Sequence, residues 1–229
     1  MKKKLSISMV LFICCIVSAQ RIADKIDPNF SGALYRNGSL NSTYHEKTEG
    51  SPYLNEKFNY AEVSGIDQKL MVRYNAESDQ IEVQIETNDV LILTKDDKFN
   101  LISINLGLTK MKLLNYKNLK GEDVYGYLVV LFDKNEVSLL RRDKIILQKE
   151  KQPKNSYDVY SPAKLVKANE EYYLETKDKK IIPMPQNKKQ LLELYPEQKE
   201  AIIPFLKNND LSFKTESDLI KITQFLSTL

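Results

Sequence analysis

Tryptophan is absent from this 229-residue chain, and histidine, cysteine and glycine are scarce, with one, two and seven residues. No two glycines form a Gly-x-Gly pair, which excludes the dinucleotide-binding fingerprint and the phosphate-binding loop. Cys14 and Cys15 both precede position 20, so the rest of the chain has no thiol for catalysis and no cysteine ligand for zinc or iron–sulfur clusters. One histidine cannot supply the multi-histidine sites typical of transition metals. We therefore expect no metal and no cofactor.

The beginning of the chain is typical of a secretory signal peptide. Three lysines at positions 2–4 precede an apolar run over 5–17, and Ala19 is a small residue at the expected cleavage point. The run is too short to cross ~30 Å of hydrocarbon as a helix. Cys14 and Cys15 lie inside the run, so we do not expect a lipid-attachment cysteine. We predict that residues 1–19 are cleaved and that the protein is periplasmic or secreted and does not span a membrane.

Charge and sequons add to this prediction. Residues 1–19 hold three lysines and no acidic residue, so their removal lowers the formal net charge from +3 to zero. Without a basic excess, nucleic acid is not an expected partner. Asn29, Asn37 and Asn41 each begin an Asn-x-Ser/Thr sequon. Sequons matter only in a eukaryotic secretory pathway, and the short signal and the Lys- and Asn-rich composition indicate a bacterium.

The rest of the chain divides by pattern into three parts. Residues 20–57 contain many turn-forming pairs, which predicts a loosely structured N-terminal leader. Over 58–185 apolar residues alternate with polar ones, most strictly in Gln80–Glu86, and the polar link 75–79 predicts the turn of an antiparallel hairpin. The further strand candidates are 58–63, 69–74, 90–93, 99–106, 111–116, 125–132, 136–140, 144–149, 171–176 and 180–184.

Helical spacing begins only in the last part of the chain, over 186–229. Leucines mark a first helix over 188–195, and Pro196 can open a second one, with a kink or early stop expected at Pro204. Thr215 and Asp218 form a capping-box pattern before a third helix. We predict an α+β fold: a mainly antiparallel β-meander or partial barrel, followed by two or three short C-terminal helices packed on it.

Few residues are candidates for catalysis. His45 lies in a polar stretch of the leader, where an imidazole would lack a rigid partner to orient it. Carboxylates stand side by side at Asp96-Asp97, Glu122-Asp123 and Glu170-Glu171, but neighbours on a strand point to opposite faces, so adjacency does not indicate a glycosidase pair. The thirteen tyrosines suit either a binding surface or half-buried strands. Tyr125 and Tyr127 are expected on one face of a strand, and Tyr172 and Tyr173 on opposite faces. We assign no catalytic, cofactor-binding or metal-binding residue.

The order of several short motifs over 50–229 resembles that of a group of small exported proteins of Gram-negative bacteria. These motifs are Gly50-Ser51-Pro52-Tyr53-Leu54, Met71-Val72-Arg73-Tyr74-Asn75, Asp79-Gln80-Ile81-Glu82-Val83, Glu171-Tyr172-Tyr173-Leu174, Tyr195-Pro196-Glu197-Gln198-Lys199 and Leu219-Ile220-Lys221. The resemblance implies a β-rich envelope protein with a helical tail. It implies no activity and no catalytic residue.

These observations favour an exported, non-catalytic binding or interaction protein of the bacterial envelope. Its partner would be an envelope protein or a small ligand. Two alternatives stay open. A barrel of about eight strands can hold one small ligand, so the protein could be a small-ligand or lipid carrier. A carboxylate-dependent hydrolase would need two acidic residues facing one cleft.

Overall fold

The computed structural model describes residues 32–35, 48–155 and 157–229. These residues form thirteen strands and three α-helices. The strands are β1 (Leu34–Tyr35), β2 (Asn59–Val63), β3 (Ile66–Asn75), β4 (Gln80–Glu86), β5 (Asp89–Leu93), β6 (Leu101–Ile104), β7 (Thr109–Lys117), β8 (Asp123–Lys134), β9 (Val137–Arg142), β10 (Ile145–Gln148), β11 (Lys164–Lys167), β12 (Glu171–Glu175) and β13 (Ile181–Pro183). The helices are α1 (Lys188–Leu194), α2 (Lys199–Asn208) and α3 (Glu216–Leu226).

Eleven of these strands form one open antiparallel sheet in the order β1-β5-β4-β3-β2-β6-β7-β8-β9-β12-β13. This order consists of two meanders that meet at β2 and β6. The first runs from β2 to β5 toward one edge of the sheet, and the second begins with β6, beside β2, and runs toward the other edge. Ala61 of β2 pairs with both Leu70 of β3 and Ile104 of β6, which joins the two meanders. The predicted α+β fold with a mainly antiparallel sheet and three C-terminal helices is confirmed, and the sheet does not close into a barrel.

The first part of the sheet curls around an apolar core. Alternate residues of β2 to β8 point into this core, as the strand period requires. The turn between β3 and β4 closes the curl, because Asp79 reaches across to β8 and accepts a hydrogen bond from the Tyr127 amide at 3.2 Å. A side chain at Gly126 would not fit there, since its Cβ would lie 2.6 Å from Asp79 Oδ2. The largest buried members of this core are Tyr127, Ile81, Leu93, Ile102 and Leu113.

The second part of the sheet curls the opposite way. Tyr116, Leu128, Leu140 and Tyr173 form a separate core. Leu128 follows Tyr127 directly in β8, so the two residues point to opposite faces of the sheet. Strands β7 and β13 approach each other, although β8, β9 and β12 lie between them in the sheet order. This approach brings the ring of Tyr116 in β7 and the ring of Tyr173 in β12 edge to face, with their centres 5.0 Å apart. One continuous sheet therefore surrounds two cores, one on each face.

The three helices cover β9, β12 and β13 and bury a third apolar cluster. Leu191, Ile202 and Ile222, one from each helix, pack with Leu139 and Leu174 of the sheet. The predicted cap of the last helix is confirmed, because Thr215 Oγ1 accepts a hydrogen bond from the Asp218 amide at 3.2 Å. In the part of the chain that the structure describes, no helix has the length and apolar character to cross a membrane.

Two pieces of the predicted leader lie against the sheet. Strand β1 pairs with β5 at its outer edge, with Leu34 opposite Leu93. Further along, the Glu49 amide donates to Ala163 O at 2.9 Å, which ties the chain to β11. The segment 50–58 then crosses the convex face of β3 and β4, where the Ala76 amide donates to Pro52 O at 3.0 Å.

Several predicted elements differ from the observed ones. The candidate strand 99–106 is shorter, since Phe99 ends a 3-10 turn and Leu106 lies in a tight turn after β6. Strand β11 was not predicted, because its partner β10 is separated from it by a long polar stretch. Of the kink or early stop expected at Pro204, the early stop does not occur: α2 continues to Asn208, and the proline removes one amide donor without ending the helix.

Because of Tyr116, we expect the second core to lose stability at alkaline pH. Burial raises the pKa of Tyr116 from 10.0 to about 12. The neutral phenol is therefore favoured in the folded state, and its contribution is complete below pH 10 and lost as the pH rises to 12. Between pH 10 and pH 12 the free energy of unfolding should fall less steeply for Tyr116→Phe than for the wild type. The two slopes should differ by about 1.4 kcal/mol for each pH unit.

Urea unfolding at pH 9 and at pH 11.5 measures this difference. Tyr60→Phe is the matched control, because the Tyr60 side chain is exposed. The prediction is wrong if both variants follow the pH dependence of the wild type.

Candidate ligand cleft

A tight turn joins β12 to β13 and forms one wall of a cleft. The Lys179 amide donates to Thr176 O at 2.8 Å, and the Thr176 amide donates to Lys180 O at 2.9 Å. Asp178 lies between them, pairs with the Lys180 ammonium and accepts a hydrogen bond from Thr176 Oγ1. These two contacts lower the pKa of Asp178 to about 2, and the contact with Lys180 has the larger effect. The carboxylate is therefore ionised at neutral pH.

The cleft lies between this turn and the helices and has a volume of about 390 Å³. Its apolar surface comes from Val137 of β9, Ile182 of β13, Leu226 of α3, and Leu194 and Tyr195 at the end of α1. Val137 and Leu226 are almost fully buried, so this surface is a continuation of the core beneath the helices. A volume in this range and an apolar floor with a few polar groups are typical of small-ligand sites.

The charge at the rim of the cleft is not balanced. Lys180 is paired with Asp178, and Lys179 Nζ lies 3.5 Å from Glu136 Oε1. Lys177 also lines the cleft, and it makes no ion pair with any residue that the structure describes. Burial and then the charge of Asp178 raise the pKa of Tyr195, which keeps its hydroxyl neutral. The site thus combines an apolar floor with the ammonium group of Lys177, which has no ion-pair partner among the described residues.

A buried polar cluster lies elsewhere, on the convex face of β3 and β4. The Glu82 side chain is 0% exposed. Arg73, directly opposite on β3, lies with its guanidinium 2.7 Å from Glu82 Oε2. Tyr53 Oη donates to both carboxylate oxygens at 3.0 Å, and Asn75 Nδ2 donates to Oε1 at 3.0 Å. Every oxygen of the carboxylate has a donor, so the cluster is a closed structural unit.

Two aromatic rings cover this cluster. The Arg73 guanidinium lies 3.8 Å from the centre of the Tyr53 ring and 4.4 Å from that of Phe58. Burial and the charge of Glu82 raise the pKa of Tyr53 to about 12. The segment 50–58 is therefore held on the sheet by a cation–π contact at each ring and by a phenol that remains protonated at neutral pH.

A third polar cluster joins the helices to the sheet. Arg141 of β9 donates from Nε to Asp143 at 2.7 Å and from Nη1 to Glu216 in the first turn of α3 at 2.6 Å. Tyr172 Oη also donates to Glu216, at 3.2 Å. These contacts fix the position of α3 on β9 and β12, and the helix in turn places Leu226 in the floor of the cleft.

The residues of the three candidate carboxylate pairs all have hydrogen-bond or ion-pair partners. Asp96 caps a 3-10 turn, and Asp97 accepts from Tyr125 Oη at 2.8 Å. The other two pairs are bound in the same way: Glu122 to Asn118 at 2.7 Å, Asp123 to Lys117 at 2.8 Å, Glu170 to Lys167 at 2.7 Å and Glu171 to Tyr173 at 2.8 Å. His45 and the three sequons lie outside the described residues. Within 32–35, 48–155 and 157–229, no group of three or more His, Cys, Asp or Glu side chains is arranged to hold a metal ion.

Sequence reasoning missed the cleft and the burial of Glu82. The alternation of Gln80–Glu86 correctly places Glu82 on the face opposite the core, but a polar face in such an alternation is normally exposed to solvent. The segment 50–58 covers it, and only the opposite charge at Arg73, in register on the neighbouring strand, could have indicated the pair. The turn at Lys177-Asp178-Lys179 was predicted, whereas the helices that complete the cleft could not be placed over it from the sequence.

Comparisons of the chain with protein-family models, with curated proteins and with solved structures give no match.

The Arg73–Glu82 pair provides a test of the convex-face cluster. Arg73→Met leaves a buried carboxylate without its cation, and we expect it to lower the free energy of unfolding by about 3–5 kcal/mol. The double variant Arg73→Met/Glu82→Gln leaves no buried charge and should recover at least about 1 kcal/mol of this loss. Urea unfolding at pH 7 measures both.

The exposed pair of Lys69 and Glu62, 3.1 Å apart, is the matched control. Lys69→Met should change stability by less than about 1 kcal/mol. Equal losses for Arg73→Met and Lys69→Met would contradict the structural role of the buried pair.

Proposed function

We propose that this chain is an exported, non-catalytic binding protein of the bacterial envelope, and that it holds a small amphipathic anion in the cleft between the β12–β13 turn and the helices. The observation that supports this most directly is the combination in one cleft of an apolar floor, made by Val137, Ile182 and Leu226, with the ammonium of Lys177, which makes no ion pair with a described residue.

The apolar floor and the charged rim of the cleft indicate which kind of ligand it would bind. Apolar side chains at the floor favour a hydrocarbon body, because its burial removes apolar surface from water. The unpaired Lys177 favours an anionic group at the rim, while Asp178, ionised and bound to Lys180, disfavours a second negative charge beside it. A molecule with an apolar body and a single anionic head group, such as a fatty carboxylate, fits both requirements.

The location rests on the sequence. The lysines, the apolar run and Ala19 support export and cleavage. The zero formal charge that remains supports a partner other than nucleic acid.

The alternatives have less support. A carrier that holds its ligand inside a barrel has less support, because the sheet is open and the side chains of the first core fill its concave face. The hydrolase hypothesis depended on paired carboxylates across a cleft, whereas the three candidate pairs are engaged in hydrogen bonds and ion pairs. Among the residues that the structure describes, Asp178 is the one with an acidic side chain that lines the proposed cleft.

Dodecanoate and dodecanol distinguish the two parts of the site, since they share a hydrocarbon chain and differ in charge. We expect dodecanoate to bind the wild type more tightly than dodecanol does. Lys177→Gln should weaken dodecanoate about fivefold, because one ion pair in water-exposed surroundings contributes about 1 kcal/mol, and should leave dodecanol unchanged. Isothermal titration calorimetry on the full chain measures both affinities.

Lys120→Gln is the control, since Lys120 is exposed in the turn at the far end of β7 and lines no part of the cleft. The proposal fails if dodecanoate does not bind, or if Lys177→Gln and Lys120→Gln bind it equally well.

A further inference from the structure

The turn between β6 and β7 presents two leucines to solvent. Leu106 is 91% exposed and Leu108 is 88% exposed. The turn is nevertheless well defined, because the Gly107 amide donates to Ile104 O and the Leu108 amide donates to Asn105 O, both at 3.2 Å. Two neighbouring leucines held out from a hydrogen-bonded turn are not accounted for by packing within the chain.

The backbone of this turn makes the arrangement more unusual. Asn105, Leu106 and Gly107 all have positive φ, at 52°, 57° and 86°. Asparagine and glycine adopt this left-handed conformation readily, whereas leucine is disfavoured there. Since strained residues cluster at functional sites, the presence of leucine at this position suggests a use outside the folded core.

Other exposed apolar residues surround the turn. Leu54, Asn55, Lys57, Asn59 and Asn105 line the same small cavity of about 130 Å³, which places the segment that contains Leu54 beside the turn. The Asn105 amide also donates to Tyr60 O at 2.9 Å, and the Tyr60 side chain is 65% exposed. We call the four exposed side chains of Leu54, Tyr60, Leu106 and Leu108 the leucine tip.

Two lysines border the leucine tip. A Cβ at Gly107 would lie 3.7 Å from Lys110 Cε, so the Lys110 side chain runs along the turn. Lys57 lies at the rim of the same small cavity. Neither lysine is ion-paired within the part of the chain that the structure describes, and Glu56 offsets part of their charge. Apolar residues that project beyond a basic border match the boundary of an anionic lipid layer, where lysines reach head groups and leucines reach acyl chains.

We propose that the leucine tip inserts into an anionic lipid surface, with Lys57 and Lys110 bound to its head groups. Binding requires no spanning segment, because the two leucines enter only the outer part of the hydrocarbon layer. A protein partner with an apolar pocket would use the same leucines, but it would not require a charged surface of lipid.

The absence of tryptophan from the chain provides a selective reporter. Leu108→Trp introduces a single indole at the tip, and Leu119→Trp introduces one at the opposite end of β7, where Leu119 is 52% exposed. The full chain is titrated with vesicles of phosphatidylglycerol and phosphatidylcholine, or of phosphatidylcholine alone. We expect the Leu108→Trp emission to shift to shorter wavelength with the anionic vesicles, and the Leu119→Trp emission to stay unchanged.

Charge and apolar contributions are then separated in the Leu108→Trp background. Lys57→Gln combined with Lys110→Gln should raise the lipid concentration at half-saturation several-fold, and 0.5 M salt should do the same. Leu106→Asn should raise the lipid concentration at half-saturation about tenfold, because one leucine side chain no longer enters the bilayer. Asparagine adopts the left-handed backbone conformation without strain, so the turn itself should be preserved.

Two results would overturn the proposal. One is an unchanged Leu108→Trp emission in the presence of anionic vesicles. The other is an equal shift at Leu108→Trp and Leu119→Trp, which would mean that contact with lipid is not confined to the leucine tip. A shift induced by a co-purifying protein but not by vesicles would instead assign the tip to a protein partner and exclude the lipid surface.

Discussion

The curl of the first half of the sheet is closed by the ion pair between Asp79 and Lys95. Lys95 Nζ lies 2.6 Å from Asp79 Oδ2 and also donates to Tyr125 O at 3.1 Å, while Asp79 accepts from Tyr74 Oη at 2.8 Å. These contacts bring the β3–β4 turn onto β8, four strands away in the sheet. Without them the apolar face of β2 to β8 would lie open to water, because none of the three described helices covers it.

The direction of the second curl follows from how β8 is used. This strand contributes Tyr127 to one core and Leu128 to the other, so it is buried on both faces and must lie where the curvature reverses. The helices pack on the same face of the sheet as the first core, but only over β9, β12 and β13. The cleft is the space between these helices and the β12–β13 turn. The site is thus a consequence of where the curvature of one sheet changes sign.

Local patterns predicted most of the strands and the last helix cap, but not the order of strands or the site. The alternation in Gln80–Glu86 and the polar link before it determine a hairpin through short-range chemistry, and such elements are found where expected. The return of β6 to the side of β2 and the covering of Glu82 by residues 50–58 depend on contacts far apart in sequence. Leu106 illustrates the same limit, since a leucine in an apolar alternation predicts a strand position, whereas the backbone turns away at Ile104.

The geometry also relates the two proposed binding surfaces. In an antiparallel run, alternate turns lie at the same end of the strands, so the β6–β7 turn with its leucines and the β12–β13 turn with Lys177 share one end, while Leu119 lies at the other. A protein that contacts a lipid layer through the leucine tip would therefore have the Lys177 rim at the same end of its strands as that contact. The strand order thus brings the strained, exposed leucine and the lysine of the cleft to the same end of one sheet.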